Sequence, residues 1–356
     1  MESDKFSKSF ERISAWWEGE LVDRACIRFN MQQKNNINKA ENEYWPSAEN
    51  EPDLENLTGR LIEEEKSIIH FGESLPIIPH AYGDRGTPMA ITGYLGGKVK
   101  FSDTTVWYDP VIDNWDDFDV SFDPENIWWE RSCKLFEMTV NKAKGCYIPI
   151  LPDYGDALTV FSLLRGTENL LFDIMDNKEA VIKARDKFLK IWPQYHKSHW
   201  DVFRKHFPGD CSWLMWAPGR TYACQCDFST VLSPKLFEEL VIPELEALGK
   251  YLEYIVWHLD GPDEIKHLDF LLELPQVKAI QWCQGSGKPS PAHWLPMLKI
   301  IRSHKKSLIL RPESREEIKT LLEELSPEGL FFDVKFDVKT TEEAQALIKT
   351  VEDFSK

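Results

Sequence analysis

"YIVWHLDGPDEIKHLDFLLELPQVKAIQWCQGSG", residues 254–287, sets the reading of the fold. An apolar run, Tyr254 to Trp257, stops at His258-Leu259-Asp260-Gly261-Pro262. A helix-like stretch follows. A second apolar run, Ala279 to Trp282, stops at Cys283-Gln284-Gly285-Ser286-Gly287. Two apolar runs separated by one amphipathic segment form the βα rhythm of a parallel sheet. In such sheets the strand interiors pack, and the strand ends carry chemistry.

The rhythm extends in both directions. Candidate strands are Ala25–Met31, Pro76–His80, Tyr147–Leu151, Ser212–Trp216, Tyr254–His258, Ala279–Trp282, Ser307–Leu310 and Leu330–Val334. Ser233-Pro234 opens a helix through Phe237, Leu240 and Leu245. Ser314 precedes another with Ile318, Leu321, Leu322 and Leu325 on one face, and Thr340 or Thr341 caps a last one through Ala344 and Ile348. Eight strands in this rhythm predict an α/β fold, a (β/α)8 TIM barrel spanning residues 1–356 as one domain. Residues 88–108, extended around Gly96-Gly97, read as an antiparallel hairpin excursion near the barrel mouth.

The bulk composition limits the function. Acidic residues number 59 against 42 basic ones, so the net charge is −17 and the surface repels phosphate backbones. Nucleic acid is therefore not an expected partner. No apolar run approaches the ~18 residues that span a membrane, and the charged start does not resemble a signal peptide. A cytoplasmic protein with free thiols, seven of them, is expected. Fourteen tryptophans, several beside turn signals, suit an aromatic-rich core or the lining of a pocket for a planar ligand.

In a barrel the strand ends meet at one rim. This collects Arg28 and Asn30, Asp153 and Tyr154, then Arg220, Tyr222, Cys224, Gln225, Cys226 and Asp227. The later strands add His258 and Asp260, Trp282 and Cys283, Arg311 and Glu313, and finally Asp333. Alternation puts His258 and Asp260 on one side of an extended segment. An imidazole and a carboxylate there form an acid/base pair or share a metal, with Cys226 as a third ligand for Zn²⁺. The plainer alternative has His258 bonded to a backbone carbonyl and the cysteines packed as small hydrophobes. Arg220 offers a fork for a substrate carboxylate, and Arg311 and Glu313 a clamp and a general acid, or else each a structural salt bridge. Tyr154, Asp153, Gln225 and Trp282 complete the expected substrate-binding set. His196, His199 and His206 read as a solvated helix face.

Several segments together carry a resemblance. They are "AWWEGELVDRACIRF" near the start, "LTVFSLLRGTENLLFDIMDNKEAV" at 158–181, "DFSTVLSPKLFEELVIPEL" at 227–245 and "WHLDG" after a late strand. In this order they resemble the uroporphyrinogen decarboxylase superfamily, within it the corrinoid-linked methyltransferase branch and relatives described as trimethylamine corrinoid proteins. The resemblance covers nearly the whole chain and implies a (β/α)8 barrel. The Arg-Gln-Ala-Gly-Arg stretch of the decarboxylases reads "CIRFNMQQK" here, which leaves Arg28 and Asn30. The zinc-binding His-x-Cys of the methyltransferases becomes His258-Leu259-Asp260, and the region of their later cysteine reads "FFDVKFDV".

The resemblance implies a methyltransferase moving a methyl group between a small methylated substrate (a methoxylated aromatic or a methylamine) and a corrinoid. The Asp-x-His-x-x-Gly segment of cobalamin modules is not found, so the corrinoid is expected on a partner protein. His258, Asp260 and Glu313 are the expected catalytic residues; His258, Asp260 and Cys226 the expected zinc ligands. Two other classes stay open: a decarboxylase, lyase or hydrolase using rim carboxylates on a tetrapyrrole or sugar, and a non-catalytic barrel that only binds.

Overall fold

The computed structural model describes residues 3–32, 50, 53–82, 85–86, 88–102 and 106–355. Its main sheet has seven strands: β1 Cys26–Gln32, β2 Ile68–Gly72, β3 Thr221–Cys224, β4 Tyr254–Asp260, β5 Val277–Cys283, β6 Ser307–Leu310 and β7 Leu330–Asp333. Their order is β3-β4-β5-β6-β7-β1-β2, and every pairing is parallel except β1 with β2. Both faces of a parallel sheet are covered, which is why Ile255, Val256, Trp257, Ala279, Ile280, Leu308 to Leu310 and Leu330 to Phe332 are all buried.

Helices connect the strands where the periodicity predicts them. Ser233, Ser314 and Thr340 each cap a helix, their hydroxyls accepting from the backbone N–H of Leu236, Glu317 and Glu343 at 3.3, 3.1 and 3.1 Å. Such a cap satisfies one of the donors orphaned at a helix start. The opening helix is locked by two indoles. Trp16 Nε1 donates to Leu308 O at 3.3 Å, and Trp17 Nε1 donates to Trp216 O at 3.0 Å. Below the sheet, Arg24 pairs with Glu73 at 2.9 Å with both side chains buried.

Between β2 and β3 the sheet gives way to short pairings. Ile77–Ile78 runs parallel to Ile148–Pro149, and Leu151 N donates to Cys211 O at 3.0 Å. Asp210–Cys211 pairs antiparallel with Trp216–Ala217. The expected strands at 76–80 and 147–151 thus shrink to two residues each. The one expected at 212–216 is largely a turn, with Ser212 N bonded to Met215 O at 3.1 Å. The strand that does the work there is β3. What the chain shows is a mixed α/β fold with a large, mainly parallel sheet and many helices.

Residues 88–108 contain a hairpin, Lys98–Phe101 with Val106–Asp109, but Gly96-Gly97 is not its turn. Gly96 has φ +88° and ends the short helix Ile91–Tyr94, a use of the left-handed region open to glycine. Phe101 and Val106 are the last pair of the hairpin, and residues 103–105 lie outside the described residues. Among the described residues no helix is long and apolar enough to cross a membrane.

Candidate functional site

The site is built on the C-terminal ends of β4 and β5. Parity within each strand sorts the side chains. In β4, Trp257 points to the helices, with its ring 5.9 Å from Phe237. His258 and Asp260 fall on the other parity. In β5, Trp282 points to the helices, 5.0 Å from Trp294, and Gln281 and Cys283 fall on the other parity. The ladder pairs His258 with Gln281 and Asp260 with Cys283. The donor atoms of His258, Asp260 and Cys283 consequently lie within 4.8 Å of one another. Gly261, φ +87°, turns the chain away immediately afterwards, and its N–H donates to Cys283 O at 2.8 Å.

His258 is held on two sides. Its Nδ1 lies 2.5 Å from Gln281 Oε1, and Gln281 is fully buried. Trp213, from the turn before β3, packs edge-on against the imidazole with ring centroids 5.5 Å apart. The Asp260 N–H donates to Glu264 Oε2 at 3.1 Å, and Ser229 Oγ donates to Glu264 Oε1 at 2.8 Å. Burial pushes the Glu264 carboxyl up to about 7, against the pull of these two donors. Burial also raises the Cys283 thiol, and Asp260 adds to the rise while Arg311 opposes it.

More carboxylates stand on the β3 side. Asp227 opens the turn after β3, and burial together with Asp260 raises its carboxyl while His258 opposes the shift. Asp153 accepts from Tyr222 Oη at 2.6 Å; burial pushes its carboxyl up to about 6, and Asp227 contributes in the same direction. The opposite side is cationic. Asp333, almost fully buried, meets Arg28 at 2.8 Å, Arg311 at 3.1 Å and Lys335 at 3.2 Å. Burial alone would raise its carboxyl, but Arg28, Lys335 and Arg311 overcome that and hold it well below the usual carboxylate range. Arg28, Asn30, Asp333 and Lys335 also line a cavity of about 800 Å³. The rim therefore changes sign along the sheet, with His258 and Cys283 between its acidic and cationic halves.

Not every expected residue is here. Arg220 precedes β3 and so sits at the N-terminal end of the strands, away from the site, stacked over Tyr251 at 4.7 Å and paired with Glu253 at 3.4 Å. The sequence reading had ended the strand at 216, whereas it begins at 221. Tyr154 is fully buried, its hydroxyl 2.9 Å from His199 Nδ1, and Trp282 is fully buried under the helices. Cys226 is 1% exposed and lies against the Asp156 carboxyl, outside the group formed by His258, Asp260 and Cys283. Gln225 is half-buried after β3, and Glu313 is exposed after β6. His196 and His199 are buried instead of solvated, since Asp210 meets His196 at 3.1 Å and Tyr154 meets His199; only His206 of the three is exposed.

Gln281 and Trp213 were missed. Gln281 had a signal: it is the one side chain able to hydrogen-bond through an amide inside the apolar run Ala279 to Trp282. Trp213 had none, because its turn was read as a strand.

The donor set of one imidazole, one carboxylate and one thiol, all at adjacent strand ends, fits Zn²⁺, which takes N, O and S ligands in a four-coordinate shell. Three protein ligands leave a position for a reacting group.

No family model matches the chain, and no curated protein matches its sequence. Among solved structures, a methyltransferase from Methanosarcina mazei is similar, with a TM-score of 0.62 and 12% sequence identity, over 98% of this chain and 99% of that one. At this identity the likeness is one of fold, and it runs the full length of both chains.

Proposed function

We propose that the chain is an enzyme, a methyltransferase that moves a methyl group between a small methylated substrate and a corrinoid carried by a partner protein. The fold is read as a (β/α)8 barrel of the uroporphyrinogen decarboxylase type, its weaker side held by the two-residue pairings between β2 and β3. The observation that carries the reading is the convergence of His258, Asp260 and Cys283 at adjacent strand ends. The full-length fold likeness to a protein described as a methyltransferase supports it.

His258, Asp260 and Cys283 would hold Zn²⁺, which supplies Lewis acidity toward the substrate heteroatom. The partner's reduced corrinoid supplies the centre that accepts the methyl group. The rest falls to this chain. As the carbon–heteroatom bond breaks, the heteroatom keeps the electron pair and needs a proton. Asp153, whose carboxyl burial raises to about 6, holds a proton at mildly acid pH and is the acid we assign to deliver it. Arg311 and Gln225 keep their substrate-binding roles, Arg311 facing an anionic substituent. Trp213 shields the imidazole from water. Glu313, at the exposed rim, serves the partner's approach instead of the chemistry.

The test mixes the chain with zinc, a reduced corrinoid protein and methoxylated aromatics or methylamines in turn. Methyl–cobalt formation in the visible spectrum is the expected result. An active corrinoid partner that stays unmethylated with every donor class would overturn the reading.

A further inference from the structure

We propose that Gln281 is the positioning residue of His258: it fixes the imidazole as the Nδ1–H tautomer and so leaves Nε2, with its lone pair, as the nitrogen free to ligate. The consequence for zinc rests on the function proposed above; the geometry does not.

The pair is set by the ladder. Gln281 in β5 stands directly across from His258 in β4, and Oε1 approaches Nδ1 to 2.5 Å. A carbonyl oxygen only accepts, so the ring nitrogen that faces it carries the hydrogen. A neutral imidazole has one N–H, which leaves Nε2 as the acceptor and ligand atom. The reversed amide would put the proton on Nε2 and leave that nitrogen without a lone pair for a metal. The two arrangements exclude each other. Trp213, edge-on to the ring, restrains the imidazole from turning over. A ligating histidine in general donates its second N–H to an acceptor that holds its orientation.

Energetics argue that this glutamine is not there for packing. Its Nε2 is buried and has no hydrogen-bond partner. A buried donor left unpaired costs roughly 1–3 kcal/mol. Its strand neighbours Ala279, Ile280 and Trp282 are all fully buried. A methionine at 281 would fill the same space without that cost, and it would give up only the bond to His258, so what the amide adds is the orientation of that imidazole.

The experiment uses metal-free full-length protein, wild type, Gln281→Met and Gln281→Glu. Long-range ¹H–¹⁵N correlation spectra at alkaline pH report the tautomer, and His258→Ala assigns the signals among nine histidines. The Nδ1–H pattern is expected in the wild type and, because an acceptor oxygen is retained, in Gln281→Glu. Gln281→Met should show the Nε2–H form or a mixture, with a melting temperature close to the wild type. Zinc titrations should then show affinity lowered by on the order of 10–100-fold in Gln281→Met and restored in Gln281→Glu. A wild type in the Nε2–H form, or a Gln281→Met protein that keeps the wild-type tautomer, overturns the proposal. A wild type with the Nδ1–H form that binds no zinc upholds Gln281 and overturns the metal reading instead. Should Gln281→Met fail to fold, the packing argument is wrong and the role becomes structural.

Discussion

Asp156 offers a perturbation whose size follows from the structure. Its Oδ1 caps the helix Ala157–Arg165 by accepting from Thr159 N–H at 2.9 Å, and its Oδ2 is buried without a partner. Glu244, also buried, takes the Ala157 N–H at 3.1 and 3.3 Å. Two carboxyls in one dry pocket cannot both ionise cheaply. Burial raises both; the Asp156 carboxyl goes from 3.8 to about 7, and the Glu244 carboxyl goes well up, with Asp156 contributing. A carboxyl raised in the folded state binds more protons folded than unfolded between these limits. Stability is therefore full below the ordinary carboxylate range, falls as pH rises toward 7, and levels off above it.

Asp156→Asn removes the charge and keeps the cap, since asparagine caps as well as aspartate. It also exchanges one unpartnered buried atom for another. At ~1.4 kcal/mol per pH unit, the rise to about 7 sets a ceiling of roughly 4 kcal/mol gained at pH 8. Because the two carboxyls share the proton, roughly half of that, ~2 kcal/mol, is the figure to look for. At ~2.1 cal/mol/K per residue over 356 residues, this corresponds to ~3 °C in Tm. Thermal melts of both proteins from pH 4.5 to 8.5 are the assay. The curves should meet at the acid end and separate as pH rises. An asparagine variant less stable than wild type at pH 8, or one with an unchanged slope, would refute the reasoning.

The other predictions concern the mouth directly. Asp333→Asn strips the shared partner from Arg28, Arg311 and Lys335; a loss of ~3–5 kcal/mol is expected in denaturant titrations, and an unchanged midpoint would mean that the cations rearrange freely. Arg220→Ala, at the N-terminal end of the strands, should leave methyl transfer within about twofold and cost at most ~1 kcal/mol, since its contacts are exposed; a tenfold loss of turnover would return it to the site. His258→Ala should abolish zinc binding and lower activity by on the order of 10²-fold while shifting Tm little, because the half-buried ring packs against one indole; easy unfolding would make it a core residue. Cys283→Ser should weaken zinc binding and Cys226→Ser should not, and the reverse order would restore the ligand set read from the sequence.

How legible the fold was depended on how each strand is stabilised. β4 to β7 were found at nearly their true positions, because buried parallel strands are continuous apolar runs and the helices between them keep a 3.6-residue period and good caps. The half between residues 68 and 224 was read poorly. Several of its strands, such as Ile77–Ile78 with Ile148–Pro149, pair over only two residues, so propensity is overruled by tertiary contacts, and helices such as Lys178–Phe203 carry buried histidines that pass for a polar face. β3 was overlooked because Thr221 to Cys224 has no long apolar run, and losing it displaced Arg220 by a full strand length, from the C-terminal end of the strands to the N-terminal end.

The same contrast governs the site. Parity alone joined His258 to Asp260, and that pairing stands in the geometry. Carried across the ladder, the same rule selects positions 281 and 283 and rejects 282. An aromatic at a strand end is an attractive pocket wall, but Trp282 is an even-numbered neighbour of two inward odd positions and had to face the helices. A polar residue inside a buried strand is the opposite case: it has no packing reason to be there, so its face is the one that meets something polar. Gln281 meets His258, and that single amide identifies which side of β5 belongs to the mouth. Cysteine followed the rule as well. Cys224 and Cys226 share a parity, but both are buried near Asp156 and Glu244, and burial first, with those carboxyls second, pushes both thiols well up, whereas Cys283 stands half-exposed beside Asp260. Burial and local charge, which no spacing in the sequence records, set the three thiols apart.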